Sequence, residues 1–257
     1  MNIAILGLGE AGSRFANDLA GRGITVFGFD PSPRYPLHDA VQLMRSNAEA
    51  AQQADIILSV NLSAVSVAVA EDVRAYVSDQ QIYAEMNTSG PETKQQIARL
   101  LALTGVRFVD LAIMAPVPPG GILTPFWASG PGAALFTEKL KGLNLNITLL
   151  GAEVGEASTL KLLRSIVYKG VAAVIVEAVE AGKAYGLEAY VRSQISSVIG
   201  GNDDLIDRFL TGSRTHAVRR SHEMEAVVSM LQSKGVEPLM SAATLGNLQK
   251  LSRENSR

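Results

Sequence analysis

The first dozen residues constrain this chain more than any other part of it. They read Asn2-Ile3-Ala4-Ile5-Leu6-Gly7-Leu8-Gly9-Glu10-Ala11-Gly12. A short apolar run is followed by glycine in a G-x-G-x-x-G spacing, and then by a segment with helical periodicity. In that context each glycine has its own task. Gly7 permits a tight turn, Gly9 lets the backbone come close to a phosphate, and Gly12 lets the helix pack against the strand. The helix start offers free N–H groups and the positive end of its dipole. A second apolar run, 25–29, leads into Asp30, about 20 residues on, where a carboxylate can accept from ribose hydroxyls. The implied ligand is NAD or NADP, its pyrophosphate lying along Gly7, Leu8, Gly9, Glu10, Ala11 and Gly12. Asp30 leans the reading toward NAD, because a carboxylate repels a 2′-phosphate. Ser32 and Arg34 could instead cradle that phosphate, which keeps NADP open.

The pattern begun at the turn continues through the first half of the chain. Apolar runs at 2–6, 25–29, 56–60, 82–85, 107–110, 126–129 and 147–150 alternate with helical intervals at 10–22, 39–53, 64–77, 91–104 and 131–142. Such alternation predicts a doubly wound, mainly parallel α/β sheet of Rossmann type. Beyond residue 153 the strand pattern stops. One long helix is expected over 156–185, interrupted at Gly170, with shorter helices at 188–199, 202–211, 214–233 and 237–252. The expected division is 1–152 for dinucleotide binding and 153–257 for an all-helical substrate and dimerisation domain around that long helix. Residues 252–257 are polar and expected to fray.

Ligands of an open parallel sheet sit beyond the carboxyl ends of its strands. The residues there are Val60, Asn61, Leu62 and Ser63; Asn87, Thr88 and Ser89 before Pro91; and Asp110 followed by Leu111 to Pro116. Val60, Asn61, Leu62 and Asn87 are candidate cofactor contacts. Asn87, Thr88 and Met114 are candidate substrate contacts. Helix capping competes for several of them: Ser63 could cap the helix that follows it, and Thr88 or Ser89 the helix that begins at Pro91.

The G-L-G-E-A-G turn, the Asn87-Thr88 segment ahead of Pro91, the Phe108-Val109-Asp110 segment, and Gly155 with Lys161 on the long helix occur in the order and spacing of one family. Across essentially its whole length the chain resembles the β-hydroxyacid dehydrogenases, which include 3-hydroxyisobutyrate and 6-phosphogluconate dehydrogenase, and within them a divergent short subgroup. The resemblance implies a Rossmann domain joined to an all-helical, dimer-forming domain, and oxidation of a hydroxyl group β to a carboxylate or the reverse reduction. It implies Lys161 as the catalytic lysine, with Ser165 where the family has asparagine. The family's substrate loop, Asp-Ala-Pro-Val-Ser-Gly-Gly, registers on Asp110, so that Met114–Pro116 replace its serine and glycines. The later string Ala115-Pro116-Val117-Pro118-Pro119-Gly120-Gly121 matches by eye but loses that register.

Lys161, Ser165 and Lys169 follow one another at four-residue steps and share a helix face. A partly buried lysine beside another cation has a lowered pKa, suited to proton exchange near neutrality. Lys169 or Arg164 could supply that second charge, or hold a substrate carboxylate. Arg219, on a later basic helix with His216, Arg220 and His222, could hold an anionic group too. The solvated-charge reading stands beside each of these.

The remaining composition excludes more than it suggests. There is no cysteine and only three histidines, so thiolate chemistry is excluded and no metal site is expected. The net charge of −2 gives no basic field for nucleic acid or anionic membranes. No apolar run approaches the ~20 residues of a membrane span. The expectation is a cytoplasmic, homodimeric NAD(P)-dependent dehydrogenase or reductase for a small anionic hydroxy or oxo acid. An imine reductase and a non-catalytic dinucleotide sensor are the alternatives.

Overall fold

A computed structural model of the chain describes residues 1–255. Two compact units divide it, one comprising Met1–Lys161 and the other beginning at Leu162. The first unit is built on an eight-stranded sheet of β1 (Asn2–Leu6), β2 (Thr25–Phe29), β3 (Val41–Leu43), β4 (Ile56–Ser59), β5 (Ile82–Glu85), β6 (Arg107–Ile113), β7 (Phe126–Ser129) and β8 (Ile147–Leu149). The strand order is 3-2-1-4-5-6-7-8. All pairings are parallel except β6 with β7.

Alternation along the strands sorts two cores. Ile3 and Ile5 face Phe15 and Leu19 of α1 (Glu10–Ala20), together with Phe126 and Phe136. Ala4 and Leu6 face the opposite way. They join Ile57, Tyr83 and Phe108 against Val73 of α3 (Ser66–Arg74) and Ile97 and Leu101 of α4 (Pro91–Leu101). Both faces of the sheet are thus covered, as a parallel sheet requires.

Two expectations need correction. The interval 39–53 is not one helix. It holds strand β3 at the sheet edge and then α2 (Asn47–Gln52), which Ser46 caps by accepting from the Glu49 N–H at 3.1 Å. β6 does not end at Asp110 either. Leu111–Ile113 continue it, paired with Ala128, Trp127 and Phe126. The turn therefore begins at Met114 and runs through α5 (Val117–Gly120) and on to Gly121. The turn thus holds residues 114–116 and the segment 117–121 that follows them.

α6 (Ala133–Leu140) completes the first unit, and α7 (Glu156–Ala184) begins within it. In the second unit, Leu162 of α7 packs with Met224, Val227, Met230 and Leu248. These come from α10 (Ala217–Ser233) and α11 (Leu239–Glu254). Ala172 and Ile175 pack with Ile206 and Phe209 of α9 (Asp203–Thr215), while α8 (Glu188–Val198) buries no residue completely. α11 extends through part of the terminus expected to fray, and residues 256 and 257 lie outside the described residues. Among the described residues, no helix is long and apolar enough to cross a membrane.

Candidate active site

The glycine turn has the geometry that its spacing predicts. Gly7 sits at φ +105°, where a side chain would be strained, and a Cβ there would lie 2.4 Å from the Val60 carbonyl oxygen. A Cβ on Gly12 would lie 1.9 Å from the Gly7 carbonyl oxygen, so the close approach is to the turn itself. Around Gly9 there is open space: a Cβ would meet nothing within 4 Å. Gly9 is also the N-cap of α1, and no side chain caps that helix. An uncapped helix start beside open space fits a pyrophosphate. Gly7, Leu8, Gly9, Glu10, Ala11 and Gly12 would hold it.

Asp30, at the end of β2, is half-buried and already engaged. Its Oδ2 accepts from the Leu8 N–H and its Oδ1 from the Ser32 N–H, each at 2.8 Å. The carboxylate thereby ties the glycine turn to the β2 loop. Each oxygen keeps a further lone pair for a ribose hydroxyl. Ser32 and Arg34 are exposed on the same loop.

Beneath the ends of β1, β4, β5 and β6 lies a polar chain that the sequence reading did not anticipate. Glu85 closes β5 and is fully buried; Lys94 of α4 is 1% exposed. Lys94 Nζ donates to the Glu85 carbonyl oxygen at 2.9 Å and to Glu85 Oε2, and lies 3.4 Å from Asp110 Oδ1. Burial opposes the ammonium, but the Glu85 and Asp110 charges outweigh it and hold Lys94 above its ordinary pKa. Burial pushes the Glu85 carboxyl up, against the pull of Lys94. Glu85 Oε1 accepts from Asn87 Nδ2. Asn87 Nδ2 also donates to Asn61 Oδ1 at 3.0 Å, and Asn61 Nδ2 donates to Ser59 Oγ at 3.0 Å and to the Leu6 carbonyl at 3.3 Å. Two of the expected cofactor residues, Asn61 and Asn87, are thus brought together by one network. Of their neighbours, Val60 is buried and Leu62 is 71% exposed.

The start of α7 is fixed from the same sheet. Asp110 Oδ2 accepts from the Ser158 N–H at 2.9 Å, and Ser129 Oγ from the Ala157 N–H at 3.1 Å. Asp110 and Ser129 are register partners on β6 and β7. Three residues beyond Ser158, Lys161 is half-buried, and its Nζ donates to Thr88 Oγ1 at 2.7 Å. Thr88 does not cap α4. The cap position there is Gly90, without a side-chain bond, and Ser63 likewise does not cap α3.

Met114 is 8% exposed in an apolar cluster with Ala112 and Ala157, a packing position. In the helical unit, Lys169 is buried and forms an ion pair with Glu223 at 2.5 Å, while also donating to Ser165 Oγ at 2.9 Å. Burial holds Lys169 below its ordinary pKa, with Glu223 pulling it back. Arg219 is 62% exposed, 3.9 Å from Glu223. The structure therefore sets Lys169 and Arg219 against one carboxylate, with Ser165 Oγ accepting from Lys169.

The missed residues left a signal. Lys94, Ile97 and Leu101 follow an i, i+3, i+7 spacing and are the buried residues of α4. A lysine in register with a core stripe is a buried charge in need of partners. Glu85, an acid ending an interior strand, is the partner that reading would find.

Comparison with known proteins bears on the fold and on the dinucleotide-binding domain. Residues 2–117 match the NAD binding domain of 6-phosphogluconate dehydrogenase, and residues 183–251 match a domain family of unknown function, DUF1932. An uncharacterised 28.5 kDa protein of Methanothermus fervidus is 28% identical over 95% of this chain and 96% of its own length. A solved conserved protein, described as structurally similar to 3-hydroxyacid dehydrogenases, is 28% identical over the whole of both chains with a TM-score of 0.74. At the level of fold alone, the 3-hydroxyisobutyrate dehydrogenase of Salmonella typhimurium superposes with a TM-score of 0.78 at 17% identity, over 99% of this chain and 95% of its own. The imine reductase of Myxococcus stipitatus in complex with NADP+ superposes with a TM-score of 0.62 at 16% identity, over 99% and 95%. The chain therefore carries an NAD(P)-binding domain at residues 2–117 and has the fold of the 3-hydroxyacid dehydrogenases.

Proposed function

We propose that the protein interconverts a small hydroxy acid and its oxo form, with Lys161 exchanging the proton. The observation that carries this reading is the 2.7 Å bond from Lys161 Nζ to Thr88 Oγ1. It holds a half-buried ammonium beside Asn87 at the carboxyl end of β5, where ligands of such sheets bind. The bound nicotinamide supplies or accepts the hydride. Lys161 as ammonium donates to the substrate oxygen in reduction, and as amine it takes the hydroxyl proton in oxidation. Thr88 orients Nζ, and Asn61 and Asn87 offer amide groups to the cofactor side. Asp30 favours NAD, because a carboxylate repels a 2′-phosphate. Within the helical unit, Arg219 is an exposed cation suited to a carboxylate. Lys169 and Ser165 are hydrogen-bonded to one another in the same unit.

We further propose a homodimer through the helical unit. Val167, Val171, Val174, Val198 and Met240 are exposed there around an apolar cavity of about 680 Å³, a patch that a second copy would cover. Light scattering should then give twice the chain mass of 27.2 kDa; the single-chain mass would refute the dimer. The catalytic reading is tested by offering a panel of hydroxy acids with NAD+ and with NADP+ to wild-type protein and to Lys161→Ala. Turnover should collapse in the variant while dinucleotide affinity holds. Equal turnover in the two proteins would remove Lys161 from the chemistry.

A further inference from the structure

Lys94 places an ammonium, with two carboxylates, on an otherwise apolar face of the sheet. Its surroundings on that face of the sheet are Tyr83, Ile97, Leu101 and Phe108, an apolar cluster. Burying such an ion pair gains little over apolar side chains of equal volume, and often loses. The ammonium donates to the Glu85 carbonyl and to Glu85 Oε2, and Asp110 Oδ1 lies 3.4 Å from it as a second anionic partner. With Lys94 against it, Glu85 acts as an acceptor at both carboxylate oxygens. Its Oε1 therefore takes the Asn87 NH2 group, whose other N–H goes to Asn61 Oδ1. Both Asn87 donors are spent, and no described residue donates to Asn87 Oδ1.

We propose that Lys94 is a positioning residue: through Glu85 it fixes the orientation of the Asn87 amide, so that Asn87 offers the dinucleotide a hydrogen-bond acceptor, suited to a ribose hydroxyl. Without the ammonium, Glu85 carries a proton and becomes a donor. The Asn87 amide then turns over and offers NH2 in place of the oxygen. The same ammonium lies against Asp110, which holds the first turn of α7 through the Ser158 N–H. One buried charge thus serves the cofactor side and the helix that carries Lys161. The inference rests on the reading that Asn61 and Asn87 face the dinucleotide.

Two double variants separate positioning from packing. Glu85→Gln with Lys94→Met removes the ion pair but leaves a carboxamide oxygen to accept from Asn87. Glu85→Leu with Lys94→Met removes the ion pair and the acceptor together. NADH and NADPH titrations by fluorescence, alongside thermal unfolding, should find both proteins folded. The first should bind within about threefold of wild type, and the second about tenfold or more weaker, the loss of one oriented hydrogen bond. Equal affinities in the two double variants would overturn the proposal while the functional reading stands. Asn87→Leu leaves the ion pair intact and covers the case of a double variant that does not fold. It too should bind about tenfold or more weaker, and wild-type affinity there would overturn the proposal. Failure of wild-type protein to bind either dinucleotide would refute the functional reading, and this inference with it.

Discussion

Gly9 and Gly12 are three residues apart in one turn, and replacing each with alanine should have opposite consequences. At Gly12 the new Cβ would stand 1.9 Å from the Gly7 carbonyl oxygen and 3.3 Å from Ile5 Cγ2. The first of these is far inside the ~3.5 Å of ordinary contact, and backbone rather than a flexible side chain must yield. Overpacking of this kind costs about 1–3 kcal/mol, with the upper part of that range applying to a backbone clash. The better helix propensity of alanine returns about 1 kcal/mol. A net loss of about 2 kcal/mol lowers the unfolding midpoint of a unit this size by roughly 4–8 °C. At Gly9 the backbone has φ −68° and ψ −165°, which alanine adopts freely, and its Cβ meets nothing. Restricting the unfolded chain gains about 0.4–1 kcal/mol, and alanine at an N-cap loses a similar amount, so stability stays within about 0.5 kcal/mol. The methyl group would, however, occupy the space a pyrophosphate needs, and NADH affinity should fall about tenfold or more. Circular dichroism melts and fluorescence titrations read the two effects separately. Wild-type affinity in Gly9→Ala, or a wild-type melt in Gly12→Ala, would refute the assignment of tasks within the turn.

Other perturbations test other parts of the account. Thr88→Val removes the acceptor for Lys161 Nζ and should lower turnover about tenfold with dinucleotide affinity unchanged, as steady-state kinetics and fluorescence would show. Burial holds Lys169 below the ordinary lysine value, so between its folded pKa and about 10.4 the unfolded chain binds more protons than the folded one. The stability of the helical unit should therefore rise with pH across that alkaline window. Lys169→Met should abolish the rise and, by taking the nearest cation from the largely buried Glu223 carboxylate, cost about 2 kcal/mol or more at neutral pH in denaturant unfolding. Thr124 is buried with an Oγ1 that has no hydrogen-bond partner among the described residues. Thr124→Val keeps the shape and should raise stability by about 1 kcal/mol in the same assay.

Local pattern carried much of this structure, and it failed where the determining contacts are distant. The glycine turn, most strands and the long helix announce themselves, because a strand–turn–helix with a fixed glycine spacing has few alternatives. β3 was hidden because a three-residue edge strand, two of whose residues are exposed, has no period to detect. The extension of β6 was hidden because Leu111–Ile113 owe their strand conformation to antiparallel pairing with β7. At the site, Lys161 and Thr88 were each singled out, but their bond spans 73 residues and no spacing rule joins them. Lys94 lies in step with the buried stripe of α4. Its meaning lies in Glu85 and Asp110, on two adjacent strands, and only folding brings those carboxylates to it.

The central claim is that Lys161 moves the proton in a dinucleotide-dependent oxidation or reduction of a small acid. Its most direct test compares wild-type protein with Lys161→Ala on whichever hydroxy acid yields NADH or NADPH absorbance, with dinucleotide affinity measured in parallel. The account predicts turnover reduced by about 100-fold or more in the variant, with affinity within twofold of wild type. Turnover in Lys161→Ala equal to that of the wild type would contradict it.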